Sequence, residues 1–187
     1  GGVSRLRLWG AVSVEGRERF GLSRLASLFD DELARELKTC CGSDAWARAV
    51  AAKRPFGSLE ELWRASDAAW SALAKSDWLE AFKAHPRIGE RKAQAEQSAR
   101  EKKWSEQEQA KVVHADQGTL DALAQGNLDY EAKFGHVFLI CATGKSAGEM
   151  LAALRARMAN DAAAEIAIAA EEQRKITRLR LEKLVKR

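Results

Sequence analysis

The residue with the most chemical potential in this chain is His85. It closes a helical pattern and is followed by Pro86 and Arg87. Imidazole is the side chain that exchanges protons near neutral pH. A following proline restrains the backbone and so preorganises the ring. A nearby arginine lowers an imidazole pKa and keeps the ring close to neutral. These features suit a proton-transfer group, and equally a histidine that merely ends a helix. The other two histidines carry less. His114 falls mid-helix near Lys111 and Asp116 and reads as a surface residue. His136 follows a helix end, where a cation complements the dipole.

Three further groupings matter. Ser105-Glu106-Gln107-Glu108 has the S-x-x-E form of a capping box, which reads first as a helix start. A helix start is also an anion site. Asn127-x-x-Tyr130-x-x-Lys133-Phe134-Gly135 sets Asn, Tyr and Lys near one helix face and ends in a glycine stop. Its plainer reading is a helix terminus that packs the single tyrosine inward. Thr143-Gly144-Lys145-Ser146 contains a GKS triplet, but position 139 is leucine where a phosphate-binding loop needs glycine. A nucleotide-binding loop is therefore excluded. Neither HExxH nor CxxC occurs, and the cysteines are three: Cys40, Cys41 and Cys141. No metal site and no disulfide framework are expected, and a reducing cytoplasm fits.

The elements that must position these groups read as helices. Ala, Leu, Glu, Lys, Arg and Gln dominate, and there are two prolines in 187 residues. That length suits one domain and buries roughly 70% of the unfolded surface, so no staple is needed. The expected fold is all-α: a single-domain helical bundle over residues 20–187, preceded by a mobile or extraneous tail at 1–19. Leu22, Leu25, Phe29, Leu33 and Leu37 predict one helix over 23–37. Ser43 and Asp44 cap a second, and Ser58-x-x-Glu61 a third with Leu59, Leu62, Trp63 and Trp70 on its stripe. A short helix spans 76–84. Residues 90–103 read as a polar excursion. Trp104 opens a long helix to about Gln125, and Gly126-Asn127 separates it from a short one over 128–133. Val137 to Ala142 reads as extended, as a strand or a buried segment. Two long helices follow, over 146–160 and 162–186; Ile166, Ala169, Ala170, Gln173, Ile176, Leu179 and Leu184 form the inner face of the last.

The 31 Lys and Arg interleave with 27 Asp and Glu, giving a net charge of +4. Interleaved charge marks solvated faces rather than a nucleic-acid footprint. No apolar run approaches the ~20 residues of a membrane span, and no secretory leader is recognisable.

The motifs occur together in one order: Arg54-Pro55-Phe56, His85-Pro86, Ser105-x-x-Glu108-Gln109, Asn127-x-x-Tyr130-x-x-Lys133-Phe134-Gly135, and Ile176-x-x-Leu179-Arg180-Leu181. In this the chain resembles the bacterial-type members of the 2-oxo-4-hydroxy-4-carboxy-5-ureidoimidazoline (OHCU) decarboxylase family of urate degradation, over residues 20 to 185. The resemblance implies a helical, homodimeric, cofactor-free carboxy-lyase that yields S-allantoin. It implies His85 as proton donor with Glu108 as its catalytic partner. It implies substrate contacts from Pro86, from Ser105, Glu106, Gln107, Glu108 and Gln109, from the backbone of Phe138, Leu139, Ile140, Cys141 and Ala142, and from Arg180, with Arg157 as rival for the arginine role. One departure is local: Arg87-Ile88-Gly89 stands where many members read Asp-Leu-Ala-Gly. Two alternatives compete. One is a His/Glu lyase acting on another small carboxylate, and the other a non-catalytic helical binding module built on the six tryptophans and the basic pI of about 9.1.

Overall fold

The computed structural model describes residues 13–89 and 99–187. Among the described residues there are nine α-helices and no strand: α1 (Val14–Ser27), α2 (Asp30–Lys38), α3 (Asp44–Ala51), α4 (Leu59–Ser71), α5 (Lys75–Lys83), α6 (Ala99–Glu108), α7 (Gln117–Phe134), α8 (Ala147–Arg157) and α9 (Ala162–Val185). A 3-10 turn, Ala110–His114, joins α6 to α7. No helix among the described residues is long and apolar enough to cross a membrane.

Most helix starts follow from side-chain caps. Ser43, Ser58, Asp116, Ser146 and Asp161 each accept a backbone N–H from the first turn, satisfying donors that a helix start leaves unpaired. At Ser58 the acidic partner reaches one residue further than a capping box would: Glu61 accepts from Gly57 N at 2.7 Å. Gly135 ends α7 at φ +76°, a left-handed stop that glycine adopts freely.

Four boundaries differ from the sequence reading, each for a local reason. Residues 14–19 lie in α1, which Ser13 caps at 3.1 Å from Gly16 N. The helix expected over 23–37 is two helices, because Glu32 takes the Phe29 N–H at 3.0 Å and Phe29 turns outward, 79% exposed. The helix expected to start at Trp104 is already helical from Ala99 and stops at Glu108, and Asp116 caps a new one. Gly126-Asn127 does not interrupt α7. A Cβ at Gly126 would stand 2.9 Å from Leu154 Cδ2, so glycine there lets α7 and α8 approach. The segment after His136 pairs with no strand among the described residues. The excursion expected at 90–103 falls largely outside the described residues.

Two apolar cores result. One gathers α1 to α5 around α9, with Leu33, Leu37, Trp46, Leu62, Phe82, Leu181 and Leu184 buried. The other joins α7 and α8 through Leu123, Tyr130, Met150 and Leu154. The extended segment runs between them and divides its side chains by parity. Val137, Leu139 and Cys141 face the first core, while Phe138, Ile140 and Ala142 face the second. Alternation is what an extended chain imposes. Tryptophans serve the first core: Trp70 donates its indole N–H to the Ala170 carbonyl at 3.0 Å, and Trp63 to that of Arg178 at 3.2 Å. These bonds tie α4 to α9.

Candidate active site

His85 follows the end of α5, where its N–H bonds the Phe82 carbonyl at 3.1 Å. The residues after it are held from three sides. Asn127 on α7 donates to the Ile88 carbonyl at 3.0 Å. Gln109 accepts from Gly89 N at 3.0 Å. Arg87 turns to α7 and grips Glu131 through two bonds of 2.6 and 2.9 Å. Gly89 sits at φ +82°, a conformation that favours glycine.

The arginine that acts on His85 is therefore Arg180, not the neighbouring Arg87. The ring is 7% exposed, and its Nε2 lies 2.7 Å from Gln173 Oε1. Burial first, and then the Arg180 cation, lower its pKa to about 4; the Glu108 carboxylate and the Gln173 bond oppose them. His85 is uncharged at neutral pH.

Glu108 ends α6 and meets Arg180 of α9 in a two-pronged bond. Nε donates to one carboxylate oxygen at 2.9 Å and Nη2 to the other at 2.8 Å. Arg180 Nη2 also reaches Ser105 Oγ at 3.2 Å, and Lys183 Nζ stands 3.8 Å from Glu108. Burial works against the Arg180 charge, but the bonds and charge of Glu108 outweigh it and hold the guanidinium above its ordinary pKa. Ser105 lies within α6, four residues before its end is sealed by the Gln109 N–H to the Ser105 carbonyl at 3.1 Å. The expected capping box is absent, and so are free N–H groups of a helix start at Ser105. The helix offers its carbonyl end here, and the positive charge comes from α9.

These groups meet in a cleft of about 330 Å³, its open mouth included, lined by His85, Pro86, Ile88, Ser105, Glu108, Gln109, Phe138, Leu139, Ile140, Ala142 and Ile176. Nine residues singled out from the sequence share this wall. Arg180 stands behind Glu108 and Ser105 rather than on it. Glu106 and Gln107 are exposed on α6 and do not line the cleft. Cys141 is half-buried; its N–H is taken by Glu172 at 2.6 Å. Ile88 and Ile176 are additions, and so is Gln173, whose place as a lone amide on an apolar helix face was the signal in the sequence.

Arg157 belongs to a separate buried group. Its Nε and Nη2 bond Glu165 at 2.8 and 2.5 Å, and its Nη1 bonds the Leu139 carbonyl at 2.6 Å. Tyr130 donates to Glu165, and Asn160 donates to its other oxygen at 2.8 Å. With Lys133 bonding the Met158 and Asn160 carbonyls, every polar member of the Asn-Tyr-Lys series is a structural tie.

A model of the OHCU decarboxylase family matches residues 26–182. The chain belongs to the OHCU decarboxylase family. Family members similar to it come from distant sources. It is 38% identical over 149 residues to the uric acid degradation bifunctional protein TTL of Arabidopsis thaliana, covering 80% of this chain and 46% of that one. The chain thus spans about half of this longer plant relative. It is 30% identical to the OHCU decarboxylase of Amia calva, covering 74% of this chain and 79% of that protein. A solved structure of OHCU decarboxylase in the presence of (S)-allantoin superposes with a TM-score of 0.71 at 36% identity, covering 81% of this chain and 98% of that one. A plant and a fish relative do not mark the chain as bacterial in type.

Proposed function

We propose that this chain decarboxylates OHCU to (S)-allantoin in urate degradation, without a cofactor, with His85 as general acid. The observation that carries the reading is the cleft itself: the end of α5, α6 and the extended segment bring His85, Ser105, Glu108, Phe138, Leu139, Ile140 and Ala142 to one wall, with Arg180 of α9 behind. Family membership supplies the substrate class.

The substrate carboxylate lies on a carbon next to a C=N bond. When carbon dioxide leaves, its bonding electrons move into that imine, so the substrate carries its own electron sink. The balance is one proton taken up for each carbon dioxide released. His85 starts neutral in the empty cleft. A bound carboxylate adds an opposite charge beside the ring and favours its protonated form. The imidazolium then gives its proton to the former imine carbon from one face, which sets a single configuration, while the hydroxyl becomes the carbonyl and its proton passes to the former imine nitrogen. With the proton on carbon the anion is gone, and burial returns His85 to its neutral state.

Glu108 accepts the hydrogen bond of the substrate hydroxyl, its own charge balanced by Arg180 and Lys183. Ser105 and the backbone of 138–142 meet the ureido and ring edges, in an apolar wall with few polar groups. A homodimer is part of the proposal; Phe20 and Phe29, 68% and 79% exposed, offer apolar surface for it. A reducing cytoplasm suits the three unpaired cysteines.

The test generates OHCU in place from urate with urate oxidase and hydroxyisourate hydrolase, and follows circular dichroism. A rapid signal of one sign, far faster than the enzyme-free reaction, is expected. A trace matching the slow racemic background would overturn the proposal.

A further inference from the structure

Gln173 touches His85 without lining the cleft, and its amide has a fixed direction. Thr177 Oγ1 donates to the Gln173 backbone carbonyl at 2.9 Å, one turn back on α9. Its only proton is then spent, so toward the Gln173 side chain it accepts, from Nε2 at 3.1 Å. That bond aims Gln173 Oε1 at His85, 2.7 Å from the ring Nε2. A carbonyl oxygen accepts only, so the ring nitrogen facing it carries the proton. All three residues are buried: Gln173 is fully inaccessible, Thr177 3% and His85 7% exposed. Solvent does not substitute for a missing partner, which makes the direction of each bond costly to reverse.

We propose that Gln173, oriented by Thr177, is the positioning residue of His85: it fixes the proton of the neutral ring on Nε2 and keeps that bond when the ring becomes imidazolium. This rests on the decarboxylase reading for its catalytic consequence, but not for its structural part. The second nitrogen, Nδ1, is then the one that gains and loses the proton in each cycle. Among the described residues, the charged groups acting on the ring are Arg180 from α9 and Glu108 from α6. Neither sets the tautomer, because neither supplies the partner of Nε2.

The test is nitrogen-15 NMR of the histidine-labelled full chain, paired with kinetics. In the wild type the His85 Nε2 resonance should be of the N–H type and Nδ1 of the bare type at neutral pH. Thr177→Val removes the acceptor that directs the amide, and should give a mixture of tautomers. Gln173→Glu keeps an acceptor and adds charge, and should raise the His85 pKa by more than one unit. Gln173→Leu should lower kcat about tenfold or more with KM little changed, since Gln173 does not line the cleft. Wild-type His85 protonated on Nδ1, or a His85 titration identical in wild type and Gln173→Glu, would overturn the proposal. If the NMR results hold but the wild type does not turn over OHCU, the decarboxylase reading fails and the tautomer assignment stands.

Discussion

Arg157 and Arg180 are both buried, 9% and 4% exposed, and both grip a carboxylate, yet they do different work. Around Arg157 the bonding is closed. Glu165 is fully inaccessible, its oxygens take Arg157, Tyr130 and Asn160, and the remaining arginine donor goes to the Leu139 carbonyl. Neither Arg157 nor Glu165 lines the cleft. Around Arg180 the bonding is open on one side, because Glu108 and Ser105, its two partners, are both part of the cleft wall. The same pair of residue types makes a strut in one place and a charge reservoir for a site in the other. What separates them is the partner: Arg157 ties the 138–142 segment through the Leu139 carbonyl, and Arg180 holds two residues of α6.

The largest expected effect breaks the strut. Glu165→Ala leaves a buried guanidinium unpaired and should cost about 3–5 kcal/mol of folding stability, read from urea unfolding. A loss under about 1 kcal/mol would show that the closed cluster is not what holds the segment.

Acid separates the two regions next. His85 has a folded pKa of about 4 against an ordinary value near 6.5, so the unfolded chain takes up its proton first. Its contribution is fully present above pH 6.5 and is lost as pH falls toward 4, about 3 kcal/mol in all. Glu165 behaves as a lowered carboxylate: burial opposes its charge, but bonds from Arg157, Tyr130 and Asn160 prevail. Its contribution is fully present above pH 4.5 and is lost progressively as pH falls from there through its own lowered value. His85→Asn should therefore flatten stability between pH 6.5 and 4. An unchanged slope in that window would contradict the neutral, buried histidine.

A subtler comparison keeps both charges and removes only the planar fork. Arg180→Lys should lower kcat/KM about tenfold to a hundredfold, the equivalent of a lost charged hydrogen bond, with little change in Tm. Arg157→Lys should lower Tm with little change in kcat/KM. The reverse pattern would exchange the two roles.

Much of this was legible from residue order. The caps at Ser43 and Ser58, the stop at Gly135 and most of the inner face of α9 follow from local rules. His85 stood out by type and place, whereas Glu108 gained its role only through the family resemblance. The role of Ser105 did not, because S-x-x-E describes a helix start only when the residues before it are not already helical, and here 99–104 are. Gly126 was misread for a related reason: its tolerance in α7 comes from Leu154 on another helix, which local sequence does not reveal. Arg87 beside His85 suggested the wrong cation, since chain neighbours need not be spatial ones. The choice between Arg157 and Arg180 depended on packing alone.

The most direct test of the central claim is His85→Asn in the coupled assay from urate, followed by circular dichroism. Asn fills much of the space of the ring and hydrogen-bonds, but transfers no proton. The account predicts binding of (S)-allantoin close to that of the wild type, with allantoin formation reduced to the slow racemic background. Rapid formation of a single enantiomer by His85→Asn would contradict it.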